Sequence, residues 1–228
     1  MALTLKQMRE EVRAGMGQDG DIEPRIDKAL NLAQQRIARA HRFEELFVST
    51  DLSTTASTQT LSLSSITNLD TIYSVVLVDS TSSRRLEKIQ NRTWDKAIAQ
   101  LQSTTEARPI YYSIWGTSTL QFLPTPDAVY TIRVKYSKWP ADLTDDNTSS
   151  DLLNKEDLII EYALHHLHKM SGNFDSADLH FRNFRNMLKE AIESDQFSPD
   201  GVIQPDFEHN YGSDYYLNPF IRSVRSWL

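Results

Sequence analysis

IYYSIWGTSTLQFLPTPDAVYTIRVKY, residues 110–136, decides the architecture. Residues 110–115, 119–123 and 129–136 are rich in aromatic and β-branched residues, and the last run sets them against Thr131, Arg133 and Lys135. Such composition is the mark of strands. Gly116-Thr117-Ser118 is placed to turn the first strand into the second, and Pro124-Thr125-Pro126-Asp127 to turn the second into the third. Upstream, residues 58–64 alternate and residues 72–78 are rich in Val, Ile and Leu, which predicts two further strands. Residues 91–102 return to helical spacing, with Trp94, Ile98 and Leu101 on one side. The middle of the chain is therefore expected to be a mostly antiparallel sheet with one short helix.

Helical periodicity flanks this block on both sides. Thr4 and Gln7 have capping-box spacing ahead of Leu5, Met8 and Val12. The pattern breaks in Gly15-Met16-Gly17-Gln18-Asp19-Gly20, and Asp21 is positioned to cap a second helix. That helix is expected to carry Ile22, Ile26, Leu30, Ala33, Ile37, Ala40 and Phe47 as its stripe. Trp139-Pro140 closes the β block, and an acidic loop follows. Asn154 is expected to cap a third helix bearing Leu158, Ile159, Tyr162, Ala163, Leu167 and Met170, ended by Gly172. A fourth begins at Asp175 and turns Ala177, Phe181, Phe184, Leu188 and Ile192 inward. The fold class is α+β, mainly an α-helical bundle of about four helices with an inserted antiparallel β lobe and an extended C-terminal tail. The expected boundaries are 1–48 and 141–196 for the bundle, 49–140 for the lobe and 197–228 for the tail.

Composition excludes several functions. In 228 residues there is no cysteine, which removes disulfides, thiolate metal sites and cysteine nucleophiles. A net charge of −7 argues against a dedicated DNA-gripping surface, which needs cations to displace counterions from phosphate. No apolar run reaches the roughly 18–20 residues of a membrane span, and the opening residues lack a secretory h-region.

The chemical motifs weigh towards bland readings. Gly15, Gly17 and Gly20 spell G-x-G-x-x-G but follow a helix instead of a strand, so they read as a turn. His165, His166, His168 and His180 lack an HExxH frame and read as interface or solvated histidines, with a pH-sensitive contact as the more active version. Asp145, Asn147, Ser149, Asp151 and Glu156 are spaced somewhat like a calcium loop, with Ser150 where that turn wants glycine. There is no G-x-S-x-G elbow, and adjacent acids such as Glu44 and Glu45 point in different directions on a helix. No cofactor, metal or catalytic residue is expected, and the protein reads as a non-enzyme. The tail is aromatic-rich and proline-broken, a composition suited to docking in another chain's groove. Phe207, Tyr211, Tyr215, Tyr216, Phe220 and Trp227 are its expected anchors, with Arg222 and Arg225 forking onto carboxylates.

Taken in order, Tyr111 to Trp115, Thr119 to Asp127, Tyr130 to Tyr136, Trp139-Pro140-Ala141-Asp142-Leu143, Asp157 to Leu164 and Gly172-Asn173-Phe174-Asp175 resemble the head-to-tail adaptor, or connector, proteins of tailed bacteriophages. The likeness spans roughly residues 1–196. The resemblance implies a structural virion protein in the neck, assembled in the host cytoplasm. It would form a ring, usually of twelve copies, beneath the portal protein. Such a ring extends the channel through which genomic DNA passes without sequence-specific binding, and gives tail, nozzle or further neck proteins a platform. The tail would grip the portal. Asp142, Asp145, Asp146 and Asp151 are then expected to face the lumen or the tail side, and the Ser/Thr-rich β lobe to pack on a neighbour's lobe. Other readings are a stopper or tail-completion protein and, further off, a cell-wall hydrolase.

Overall fold

The first helix, α1 (Leu5–Met16), begins with the expected capping box: the Gln7 amide donates to Thr4 Oγ1 and the Thr4 amide to Gln7 Oε1 at 2.9 Å. Leu5, Met8 and Val12 are buried on its inner face. Gly17, at φ 61°, ends it, whereas Gly15 still belongs to the helix. The protein is seen in a computed structural model that describes residues 2–17, 23–79, 83–101 and 106–196. Asp21 and Ile22, and the whole of 197–228, lie outside the described residues.

Helix α2 (Glu23–Ala40) buries Ile26, Ala29, Leu30, Ala33, Ile37 and Ala38. The stripe is shorter than the sequence predicts. Ala40 is exposed, a single 3-10 turn (Glu44–Leu46) follows, and Phe47 opens a strand. Phe43 and Leu46 plug the helical core at the place the longer stripe assigned to Phe47. After the β region come α4 (Glu156–Met170) and α5 (Phe174–Gln196). Asn154 does not cap α4; it sits at φ 56°, a conformation asparagine tolerates, and turns the chain into the helix. Lys155 holds the cap position without a side-chain bond, and Glu156 and Asp157 oppose the helix dipole. At α5, Asn173 Oδ1 accepts the Ser176 amide at 3.3 Å, so the helix starts one residue before Asp175. Four helices and the segment bearing Leu143 and Leu152 share one apolar core.

The β region is larger than a lobe on a bundle. Its strands are β1 (Phe47–Ser53), β2 (Thr60–Ser62), β3 (Leu69–Val78), β4 (Arg84–Arg85), β5 (Glu87–Lys88), β6 (Tyr111–Trp115), β7 (Thr119–Leu123) and β8 (Thr131–Lys138), with α3 (Asn91–Leu101) between β5 and β6. They form two four-stranded sheets, ordered β1-β8-β3-β4 and β2-β7-β6-β5, antiparallel except for β5 beside β6. Val75, Leu77, Ile132, Val134 and Tyr136 of the first sheet face Tyr112, Leu120 and Phe122 of the second. Leu63, Ile66 and Leu86 complete this second core. Gly116, at φ 62°, makes the expected β6–β7 turn. Ser113 and Leu123 are buried on the reverse face, on the side where α3 meets β6.

The expectation of a mainly helical four-helix bundle carrying a small lobe is thus overturned. Among the described residues there are five α-helices and two sheets with a core of their own, an α+β fold with substantial β content. Both cores belong to one compact unit, Met1–Asp195. They meet where the Arg39 guanidinium stands 5.8 Å over the Trp139 ring, and where Arg42 reaches Asp70 at 3.0 Å and Thr71 at 3.1 Å.

Candidate interaction surfaces

The acidic loop is stitched to the helices by backbone and side-chain bonds. The amides of Leu5 and Lys6 donate to the carbonyls of Thr148 and Asp146 at 2.8 and 3.1 Å, and Thr4 bridges to Ser149. Asn31 makes a reciprocal pair with Leu143, its Oδ1 accepting the amide at 2.8 Å and its Nδ2 donating to the carbonyl at 3.1 Å. Ser150, buried, donates to the buried Gln34 Oε1 at 2.6 Å. This anchoring separates the four predicted aspartates into two kinds. Asp146 accepts from Arg9 at 2.5 Å, and Asp151 accepts from Lys138 at 2.7 Å and from the Ala141 amide at 2.9 Å. Asp142 and Asp145 are exposed and have no ion pair among the described residues. Arg9 also forks onto Asp27 at 2.5 and 3.0 Å, and that bond, with Asp146 adding to it, holds the guanidinium above its already high ordinary value. The loop is consequently an anchored edge on which Asp142 and Asp145 have no cation beside them among the described residues, the Asp145 carboxylate accepting only from the Thr144 hydroxyl at 3.4 Å. Sequence alone shows the aspartates, but the cations that neutralise two of them come from 137 and 13 residues away.

The calcium-like spacing does not converge. Ser150 and Glu156 point into the protein, Ser149 bridges to Thr4 and Asp151 is taken by Lys138. Three of the histidines, His165, His168 and His180, lie between α4 and α5, whereas His166 is near Lys28 of α2. His165 Nδ1 is 2.9 Å from the Ala177 carbonyl, His180 Nδ1 is 2.8 Å from Glu161 Oε2, and the rings of His168 and His180 stack at 5.3 Å and 6°. Burial, with the neighbouring His180, lowers the His168 pKa; burial, with His165, Lys169 and Lys28, lowers that of His166. Among the described residues no three His, Asp or Glu side chains are grouped to hold a metal ion. No described helix is long and apolar enough to cross a membrane.

Other surfaces are not signalled by any motif. The exposed Phe47 and Tyr73 rings meet edge-on at 5.0 Å on the outer face of the first sheet. Met170 and Phe174, 64% and 65% exposed, flank the α4–α5 turn. The tail residues Phe207, Tyr211, Tyr215, Tyr216, Phe220, Arg222, Arg225 and Trp227 lie outside the described residues.

Residues 3–204 match the family described as SU10 adaptor protein. The chain belongs to that family. It is a family of phage head-to-tail adaptors, so the resemblance read from the β6–β8 stretch and its flanks was to the right class. The match runs through both cores and the acidic loop. Curated proteins yielded no match to the adaptor. Membership makes the adaptor a structural phage protein and implies contact with portal and tail proteins in general.

Proposed function

We propose that the adaptor forms a ring beneath the portal, of twelve copies as the family resemblance implies, lengthens the DNA channel and gives tail proteins their platform. The observation that carries this reading is the family match over residues 3–204. The physical chemistry supports it. A chain of net charge −7 does not brake a passing polyanion as a phosphate-binding basic surface would. Asp142 and Asp145, without a cation partner among the described residues and on an anchored loop, are assigned to the lumen or the tail-facing rim, with Asp146 and Asp151 structural beside them. The tail is assigned to portal docking through its six aromatic anchors and Arg222 and Arg225.

The test is binding to purified portal rings, followed by sedimentation, for the full chain and for a chain ending at Gln196. Co-sedimentation of the full chain and its loss on truncation are expected. Equal binding by both would move the docking site off the tail, and binding by neither would end the portal assignment.

A further inference from the structure

One row of residues crosses the first sheet from edge to edge. Asp51 on β1 pairs with Arg133 on β8, Arg133 with Val76 on β3, and Val76 with Arg85 on β4. The adjoining row contains Leu52, Ile132 and Leu77, which face the sandwich core. Successive residues of a strand face opposite ways, so the first row lies on the outer face. It ends in a carboxylate at one edge and a guanidinium at the other.

Both ends are open to a further partner. Arg133 reaches the two Asp51 oxygens at 2.7 and 2.8 Å, and a carboxylate offers further lone pairs on its free side. Arg85 is exposed and has no ion pair among the described residues. The strand β1 pairs with β8 in unbroken register and carries no proline, lysine or bulge, the usual devices that blunt an edge. At β4, the Leu86 amide donates to the Val75 carbonyl at 2.9 Å; amide directions alternate, so that of Arg85 faces away from β3.

Strand direction adds a second condition. Every neighbouring pair in β1-β8-β3-β4 is antiparallel, so β4 runs opposite to β1. A second copy related by a ring rotation of about 30° keeps its strands near the original direction, within reach of the 20–25° twist roughly usual between adjacent strands. Its β1 laid beside β4 continues the antiparallel order, and its Asp51 meets Arg85.

We propose that the β1 edge of one copy adds to the β4 edge of the next, making the first sheet the head-to-tail contact of the ring. This rests on the ring reading above and names its interface. The contact is heterologous, so it closes only through rotation.

The absence of cysteine makes a direct test available. Within one chain, Asp51 and Arg85 are three strand spacings apart, about 14 Å, too far for a disulfide, whose Cα atoms lie within about 7 Å. In the double variant D51C/R85C any disulfide therefore joins two copies. Assembled on portal rings and oxidised, it should give a ladder of covalent oligomers on a non-reducing gel, while each single variant stays monomeric. A ring of normal mass without a ladder would overturn the interface and leave the ring reading standing. Cross-linked dimers from either single variant would overturn it too, because they signify a two-fold contact. If the unaltered chain forms no ring on portal, the ring reading falls and the interface with it. A charge reversal at Arg85, which needs no cysteine, covers a double variant that folds poorly. R85D should weaken assembly at least tenfold, whereas R85K, which keeps the positive charge and leaves the Asp51–Arg133 pair intact, should largely retain it. Wild-type assembly by R85D, or a loss of DNA retention alone, would assign Arg85 elsewhere and refute the contact.

Discussion

Gly15 stands inside α1, where glycine is disfavoured by about 1 kcal/mol relative to alanine, yet a Cβ there would lie 2.8 Å from Leu164 Cδ2. Two effects of opposite sign compete at one methyl group. Overpacking a filled core costs roughly 1–3 kcal/mol, so Gly15→Ala should lower stability by about 1 kcal/mol despite its better helix propensity. The check is a thermal or urea melt, with Leu164→Ala in the same background absorbing the loss. His168 carries a second residue-level prediction. Its pKa is depressed from the ordinary 6.5 by burial and by His180. At pH above that value neither the folded nor the unfolded chain holds the proton, and the group contributes nothing to pH dependence. As pH falls through it the unfolded chain takes the proton more readily, so stability declines toward acid. The melting temperature should drop between about pH 7 and pH 5, and His168→Gln should flatten that drop. An unchanged slope would remove His168 from the α4–α5 contact's acid sensitivity.

Elements formed by local signals were legible in the sequence, and those formed by distant partners were not. Thr4 and Gln7 announce α1, the β6–β7 hairpin is written in Gly116 and its aromatic and aliphatic flanks, and Ala177, Phe181 and Phe184 predict the inner face of α5. By contrast β1 shows only partial burial along its inner face, so FVSTDLS offers no strong alternation, and its pairing partner β8 lies far along the chain. Arg84-Arg85 and Glu87-Lys88 are wholly exposed edge pieces without an apolar residue. Local sequence signals therefore predict one lobe where the chain forms two sheets. Asn154 misled for a related reason, since the same side chain suits both a helix cap and a left-handed turn. For the acidic loop, charge was legible and anchoring was not. Ser150→Ala tests the anchoring: it strips the buried Gln34 of a partner and should destabilise the chain by about 1–3 kcal/mol. Amide exchange across the loop should rise with it, whereas Asp142→Asn, on the exposed side, should leave both unchanged.

At the scale of the whole molecule, the helical core and the β sandwich supply different kinds of surface. The helices hold the acidic loop rigid through Asn31, Gln34 and Arg9. The first sheet ends in β1 with Asp51 and in β4 with Arg85, and neither has a further strand beside it among the described residues. A subunit with two unlike, complementary edges suits the proposed closed ring, and an acidic loop suits the proposed DNA channel. Added salt should weaken ring closure by screening the Asp51–Arg85 contact, with R85K showing the same dependence and R85D little assembly to screen. The central claim, a ring of fixed size on the portal, is tested most directly by native mass spectrometry of portal rings saturated with the adaptor. The account predicts one discrete complex whose added mass is a fixed whole number of 26.2 kDa chains. A spread of partial occupancies that never closes, or portal rings that gain no mass at all, would contradict it.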